Sequence, residues 1–463
     1  MKLAFLSTSL ALLASLPAAA VEETDVASAL DEDDPFDLHV TVDYAFSARR
    51  AAIKRESTAI PGPGGGTAIV KDLIYRQNRH VITPKLAVGV YKDLELRFAL
   101  PIVIADTRDL RFDQRAEPCV FTGTPTCVNR DNSSTLLDDF LPDGTGPGGL
   151  GYDARDPTTN FAPDSRMVFK GQRRSGLDQL HLGLAWAPMN QRRDDTKPTW
   201  VIGAEARIAI GKIQRFNRLD PESENGVGRG VHEIYLFTAA SKQLGAIEPY
   251  VLFYWLAALG TKGGDAPGDP KGSLYWDVGF GQPSNRPQQR AGTNFGFEAA
   301  IWQRPAQEQR VTLTFAGRID SIFEGMGYSE MWEVFAYAGD ATRDPSASLV
   351  VDRDPTGTTD APLSHPGVTV VQNYLSFGAQ LGVAGRVGPH ASFHAAFELG
   401  RDQSHRLTFD DAGIEGDDAD QVITMGTREV NPLHRPAIDL PGRRYLVDDT
   451  TTYAITVNGS VLF

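Results

Sequence analysis

No uninterrupted apolar stretch in this sequence approaches the roughly 20 residues that a membrane-spanning helix requires. Mean hydropathy is -0.25, and 41% of the residues are hydrophobic. A chain of this composition can cross a bilayer only as a closed barrel, where every backbone group is satisfied between strands. Positive charge is also in short supply: 45 Lys and Arg stand against 59 Asp and Glu in 463 residues, a formal net charge of -14. That excess of acid argues against nucleic acid as a partner. The one early apolar run, residues 3–16, is too short to span, follows Lys2 and leads into small residues ending Ala18-x-Ala20. This pattern predicts a signal peptide over residues 1–20, cleaved after Ala20, and no Cys follows to carry a lipid anchor. Cysteine itself is limited to Cys119 and Cys127. In an exported chain two such close thiols are expected to form a disulfide around a small loop, and without nearby His they lack a zinc ligand set.

What the sequence has in quantity is period-two alternation. Residues 21–34 read as a flexible acidic lead. After it Phe36, Leu38, Val40, Val42, Tyr44 and Phe46 alternate with Asp37, His39, Thr41, Asp43 and Ser47. The clearest hairpin sets Ile82, Leu86, Val88 and Val90 before a turn at Tyr91-Lys92-Asp93, and Leu94, Leu96, Phe98, Leu100, Ile102 and Ile104 after it. Pro84 and Pro101 interrupt it and read as bulges or strand ends near a rim, since proline cannot donate to a ladder. Further strands follow near residues 177–187, 199–211, 231–240, 247–259, 292–302, 311–320, 372–383, 391–399 and 450–463. The two at 231–240 and 247–259 are apolar on both parities and cannot be oriented from sequence.

The count is about twelve strands in residues 35–463, with short and long connections alternating strictly. Long loops are expected at about 50–80, 106–175, 214–229, 260–289, 324–367 and 402–444. This predicts an all-β fold, a transmembrane antiparallel up-and-down barrel with short periplasmic turns and long extracellular loops. Residues 331–337 and 348–352 could pair within the fifth loop and raise the count to fourteen. Tyr91, Trp186, Trp200, Trp302 and Phe463 fall at the short-turn ends, where an interfacial aromatic girdle belongs.

The stretch V-G-V-Y-K-D-L-E-L-R-F-A-L-P-I-V-I (residues 88–104) and G-L-D-Q-L-H-L-G-L-A-W (176–186), followed by I-G-A-E-A-R-I-A-I-G, resemble hairpins of Gram-negative outer-membrane β-barrels. The similar proteins are transporter-type barrels, including a family tied to a phenol-degradation pathway. The last strand, with Tyr453, Ile455, Val457, Val461 and Phe463 on one parity, resembles the closing strand of such barrels. The resemblance implies that these five residues act as the insertion signal read by the barrel-assembly machinery. It also implies outer-membrane location, a lipid-facing surface and small solutes as cargo.

On the inward parity the sequence collects Asp43, Glu95, Glu205, Glu298, Asp320 and Glu398 with Lys85, Arg97, Arg207, Arg310 and Arg318, joined by His181 and His394. A single-sign ring would point to ion selectivity. A mixed set fits either a lumen cross-linked by its own ion pairs or a pore for small solutes. The expected function is therefore a channel or transporter for small solutes, with a structural or surface-binding (adhesion or receptor) barrel of closed, salt-bridged lumen as the alternative. Asp410, Asp411, Glu415, Asp417, Asp418 and Asp420 crowd the last loop as a weak calcium candidate without EF-hand spacing. No other cofactor is expected. Catalysis is not expected either: Ser364-His365 and Ser404-His405 are neighbours in sequence, and no G-x-S-x-G elbow occurs.

Overall fold

The computed structural model describes residues 22–29, 37–61, 67–112, 133–142, 151–156, 161, 165–259, 287–351, 362–413, 422–424, 431 and 433–463. Residues 1–20, the expected signal peptide, and Cys119, Cys127, Glu415, Asp417, Asp418 and Asp420 lie outside them.

Twelve antiparallel strands close into a barrel. They are β1 (Leu38–Pro61), β2 (Thr67–Tyr91), β3 (Leu94–Ala99 continued by Ile102–Arg111) and β4 (Arg174–Leu177 continued by Gln179–Met189). Next come β5 (Thr199–Ala209), β6 (His232–Ser241), β7 (Ile247–Leu259) and β8 (Arg290–Arg304), then β9 (Gln309–Ile322), β10 (Tyr374–Arg386), β11 (Ala391–Asp402) and β12 (Tyr445–Leu462). Each strand pairs with the next in sequence. β12 then pairs with β1, from His39↔Leu462 to Arg55↔Tyr445. No edge remains, which meets the requirement for backbone in lipid. The alternation sorts the faces: Val40, Val42, Phe98, Leu184, Trp186, Phe297, Phe315, Phe397 and Ile455 all stand exposed on the outside. Tyr91, Trp186, Trp200 and Trp302 are exposed at the short-turn end. Trp302 owes its broken parity to a register shift between Ala300 and Trp302.

Four expectations need correction. The first expected loop, at 50–80, is mostly strand: β1 and β2 pair from Leu38↔Val88 outward to Pro61↔Thr67. Polar and small residues there hid the continuation, because above the bilayer the outward face needs no apolar side chains. The acidic lead is not loose along its described part, since Thr24, Val26, Ala27 and Ala29 are buried inside the barrel. The fourteen-strand alternative fails because Trp332–Ala338 is a helix with all seven residues buried; a fully buried segment has neither a two-residue nor a 3.6-residue apolar pattern to read. Pro84 lies within β2 opposite Val42, and Pro101 splits β3 in mid-wall rather than at a rim. Beside it the Leu100 N–H donates to the Pro84 carbonyl at 3.1 Å.

The long connections build a cap with its own core at the outer end of β1, β2, β3 and β12. Ile53, Leu73, Leu110 and Tyr445 from the strands enclose Phe140, Phe169, Phe335 and Ile438 from the loops. β1 has 24 residues, about 80 Å along the strand, where roughly ten suffice to cross a bilayer. The excess length is the wall that carries this cap.

Candidate functional site

Below the cap the inward parity lines two joined cavities. The inner one, of about 560 Å³, is bordered among others by His39, Lys85, Glu95, Arg97, Glu298, Arg310 and His394. The outer one, of about 400 Å³, is bordered by Arg79, Asp178, Gln179, Arg229, Glu233 and Arg290. Pro101, His181 and Arg207 line both, so the two spaces meet at one level of the lumen.

Opposite charges meet as strand geometry dictates. Residues two apart on one strand, or facing each other across a pair, bring their heads within reach. Arg97 pairs with Glu95 and Lys85 with Asp43. Glu205 takes Arg207 Nε at 2.8 Å and lies 3.2 Å from His181 Nδ1. Arg318 bridges Asp320 and Glu398, the latter at 2.7 Å, and Tyr254 donates to Asp320 at 2.5 Å. Glu298, Arg310 and His394 reach the inner cavity itself, whereas Asp43, Arg318, Asp320 and Glu398 lie outside the set bordering either space.

Residues 22–29 pack inside the barrel at its inner end. Ala29 and Lys92 exchange backbone hydrogen bonds at 3.0 and 2.7 Å. The Ala27 N–H donates to Glu95 at 2.6 Å and the Ser28 N–H to Asp37 at 3.2 Å. Arg192 holds the Asp25 carboxylate at 2.6 Å, and Thr24 shares a 2.8 Å hydrogen bond with Ser241. Val26 inserts among inward-facing Ala185, Ala187, Val201, Phe237, Ala239 and Leu252. That contact explains the two strands with apolar residues on both parities. β6 and β7 face lipid with Ile234, Leu236, Phe253 and Trp255, and their inward apolar row covers Val26. The signal for the plug was therefore in the sequence, as an apolar stripe where a lumen should be polar. Gly89 completes the seat: a Cβ there would lie 2.3 Å from the Ser28 carbonyl oxygen.

At the outer end the helix Trp332–Ala338 is locked by Arg174. Its guanidinium reaches Glu333 at 2.8 Å and the carbonyls of Glu224, Gly226 and Arg215 at 2.7, 3.2 and 3.0 Å. It also lies over the Trp332 ring, 4.6 Å from the centroid. Arg49 of β1 ties the wall to the cap through Glu330 at 2.5 Å and also pairs with Asp402 at the end of β11 at 3.0 Å.

The loop residues weighed for other chemistry sit apart from the lumen lining. Ser364 is 3.4 Å from Asp340, while His365 Nδ1 accepts from the Gly367 N–H at 3.0 Å, so the two side chains do not engage each other. Burial holds the His365 imidazole far down, at about 3. His405 stacks on Tyr374, centroids 3.6 Å apart. Asp410 is buried and accepts from the Val370 N–H and from Asn431, each at 3.4 Å. Among the described residues no group of three or more His, Cys, Asp or Glu is arranged to hold a metal ion.

A closed twelve-stranded barrel with an apolar outer belt and a polar lumen is the architecture of outer-membrane proteins. This chain has that architecture. No protein-family model matches it, and no curated protein matches it either. Among solved structures it is similar to an outer membrane channel from Pseudomonas putida F1, with 10% identity, 92% of this chain and 95% of that chain covered, and a TM-score of 0.38. A Pseudomonas aeruginosa FadL homologue is 9% identical over 92% and 90% of the two chains, with a TM-score of 0.30. The outer membrane protease OmpT from Escherichia coli is 7% identical over 93% and 99%, with a TM-score of 0.27. Nothing about solute or activity follows from these likenesses.

Proposed function

We propose that this protein is an outer-membrane channel or transporter for small solutes, closed in this state by its N-terminal segment below and its loop cap above. The observation that carries the reading is the space inside the barrel, two cavities of about 560 Å³ and 400 Å³ that share His181 and Arg207 in their walls. A barrel serving only as an anchor has no need of such a space. The short turns face the periplasm and the cap faces outward, following the usual placement of such connections.

Passage then requires displacement of residues 22–29. Their contacts include hydrogen bonds to Lys92, Glu95, Asp37 and Ser241, the Asp25–Arg192 ion pair and the Val26 side chain, which a partner or the solute would have to displace. The test is ion conductance of the purified protein in planar bilayers. Low conductance that rises on deletion of residues 22–29 supports a gated channel. Silence in both forms favours the second reading, a structural or surface-binding barrel whose ion-paired lumen conducts nothing. The pairs Arg318–Asp320, Arg318–Glu398 and Lys85–Asp43 are the feature that favours that second reading.

A further inference from the structure

The outer cavity has a charge pattern that the ion-pair network does not consume. Its carboxylates are neutralised by neighbouring cations: Glu233 Oε2 accepts from Arg229 and Gln179 at 2.8 and 2.9 Å, although its buried Oε1 takes no donor, and Asp178 lies 4.0 Å from Arg229. Arg207, which also borders it, is held by Glu205. Asp106, near enough to be influenced by Arg79, is taken by Arg108 at 2.8 Å and Gln77 at 2.8 Å. Arg79 and Arg290 remain. Both face inward and border the cavity, and among the described residues neither guanidinium has a carboxylate within 4 Å. The Arg79 Nε and the Gln288 Nε2, a third donor bordering the same space, are buried atoms without a hydrogen-bond partner.

Two guanidinium groups with no carboxylate within 4 Å among the described residues, and an amide Nε2 without a partner, thus border one space with the donors that an anion would need. Guanidinium presents two parallel donors that match the oxygens of a carboxylate. Next to them Pro101, Leu256, Ile322 and the Tyr374 ring supply apolar surface. We infer that the outer cavity binds a small organic carboxylate, the charged end held by Arg79, Arg290 and Gln288 and the apolar part against Leu256 and Tyr374. The inference deepens the channel reading and rests on it for its physiological meaning, since it names the solute class that the lumen takes.

Binding is measured apart from passage. The full chain, folded in detergent, is titrated calorimetrically with sodium butyrate at low ionic strength, with butyramide and inorganic phosphate as comparators. The expected result is saturable butyrate binding, none with butyramide, and weakening by added salt. Arg79→Gln with Arg290→Gln is expected to weaken butyrate at least about tenfold, the scale of one lost charge-assisted hydrogen bond. Gln288→Leu, which keeps both charges, is the second variant should the double change fail to fold, and it is expected to weaken butyrate less. Equal binding of butyramide, tighter binding of phosphate than of butyrate, or unchanged affinity in the folded double variant each overturns the assignment. Butyrate binding without butyrate flux into liposomes sinks the channel reading while leaving the site standing.

Discussion

Arg174 shows how a single side chain can decide whether the cap holds. Truncation to Ala leaves the Glu333 carboxylate buried beside Trp332 and strips three carbonyls of their donor. Removing one partner of a buried pair costs about 3–5 kcal/mol, here concentrated in the cap. Limited proteolysis of folded Arg174→Ala protein is expected to cut within residues 324–367 under conditions where the unaltered chain resists; equal resistance would show that the cap does not depend on the clamp. Asp410 acts in the opposite sense. Burial, with Asp411 and Glu324 nearby, pushes its carboxyl up to about 7. Burial and Asp410 together raise Asp439, whose Oδ1 receives the Asp410 N–H. His434 and Arg435 complete the group facing them, His434 at 2.9 Å from the Asp410 carbonyl. An acid whose native pKa lies above its ordinary value near 4 keeps its proton longer folded than unfolded. Stability therefore falls as pH rises from about 4 to about 7, and the loss is complete above that window. Hydrogen exchange across residues 405–439, corrected for intrinsic rates, should slow between pH 8 and pH 5. Asp410→Asn should flatten that dependence and protect the segment at pH 8.

At the scale of elements, the strands that touch lipid were legible and those that touch protein were not. β3, β9 and β12 alternate cleanly because one face meets bilayer and the other a wet lumen. β6 and β7 hid their orientation, because the plug lends an apolar partner to their inner face. The helix Trp332–Ala338 and the outer reach of β1 escaped for the related reason that the cap buries or solvates both sides. Among the site residues, Glu95, Arg97, His181, Glu205 and Arg207 could be placed on the inward parity from alternation. Arg79 and Arg290 could not: the strands that bear them run past the limits that lipid-facing alternation marks. The plug also supplies a test by a single residue. Gly89→Val puts side-chain atoms where the Ser28 backbone passes, with the first carbon already 2.3 Å from its oxygen. Backbone cannot yield as a flexible side chain would, so residues 22–29 must leave their seat. Bilayer recordings of Gly89→Val should show more open time than the unaltered protein, with barrel assembly unchanged. An unaltered closed trace from a folded variant would mean that this segment does not gate the lumen.

The whole molecule depends on one seam, β12 against β1, because only its formation removes the last free edges. Thr456 sits at the middle of that seam and pairs on both sides, with Ala45 of β1 and Ala396 of β11. A proline there removes a ladder donor in a wall that has no edge to shelter it. The barrel does tolerate Pro84 and Pro101, but it bends around them: β3 is split at that level, and the Leu100 N–H is redirected to the Pro84 carbonyl. No such adjustment exists beside Thr456, where residues 455–457 run in unbroken register with both neighbours. Thr456→Pro is therefore expected to abolish the compact, heat-sensitive band that closed barrels give on denaturing gels run without boiling. Thr456→Val keeps the donor and should retain that band. The comparison isolates closure from side-chain chemistry at the same position. A heat-sensitive band of ordinary intensity from the proline variant would show that the cap and the outer reach of β1 and β2 hold the wall shut without this seam.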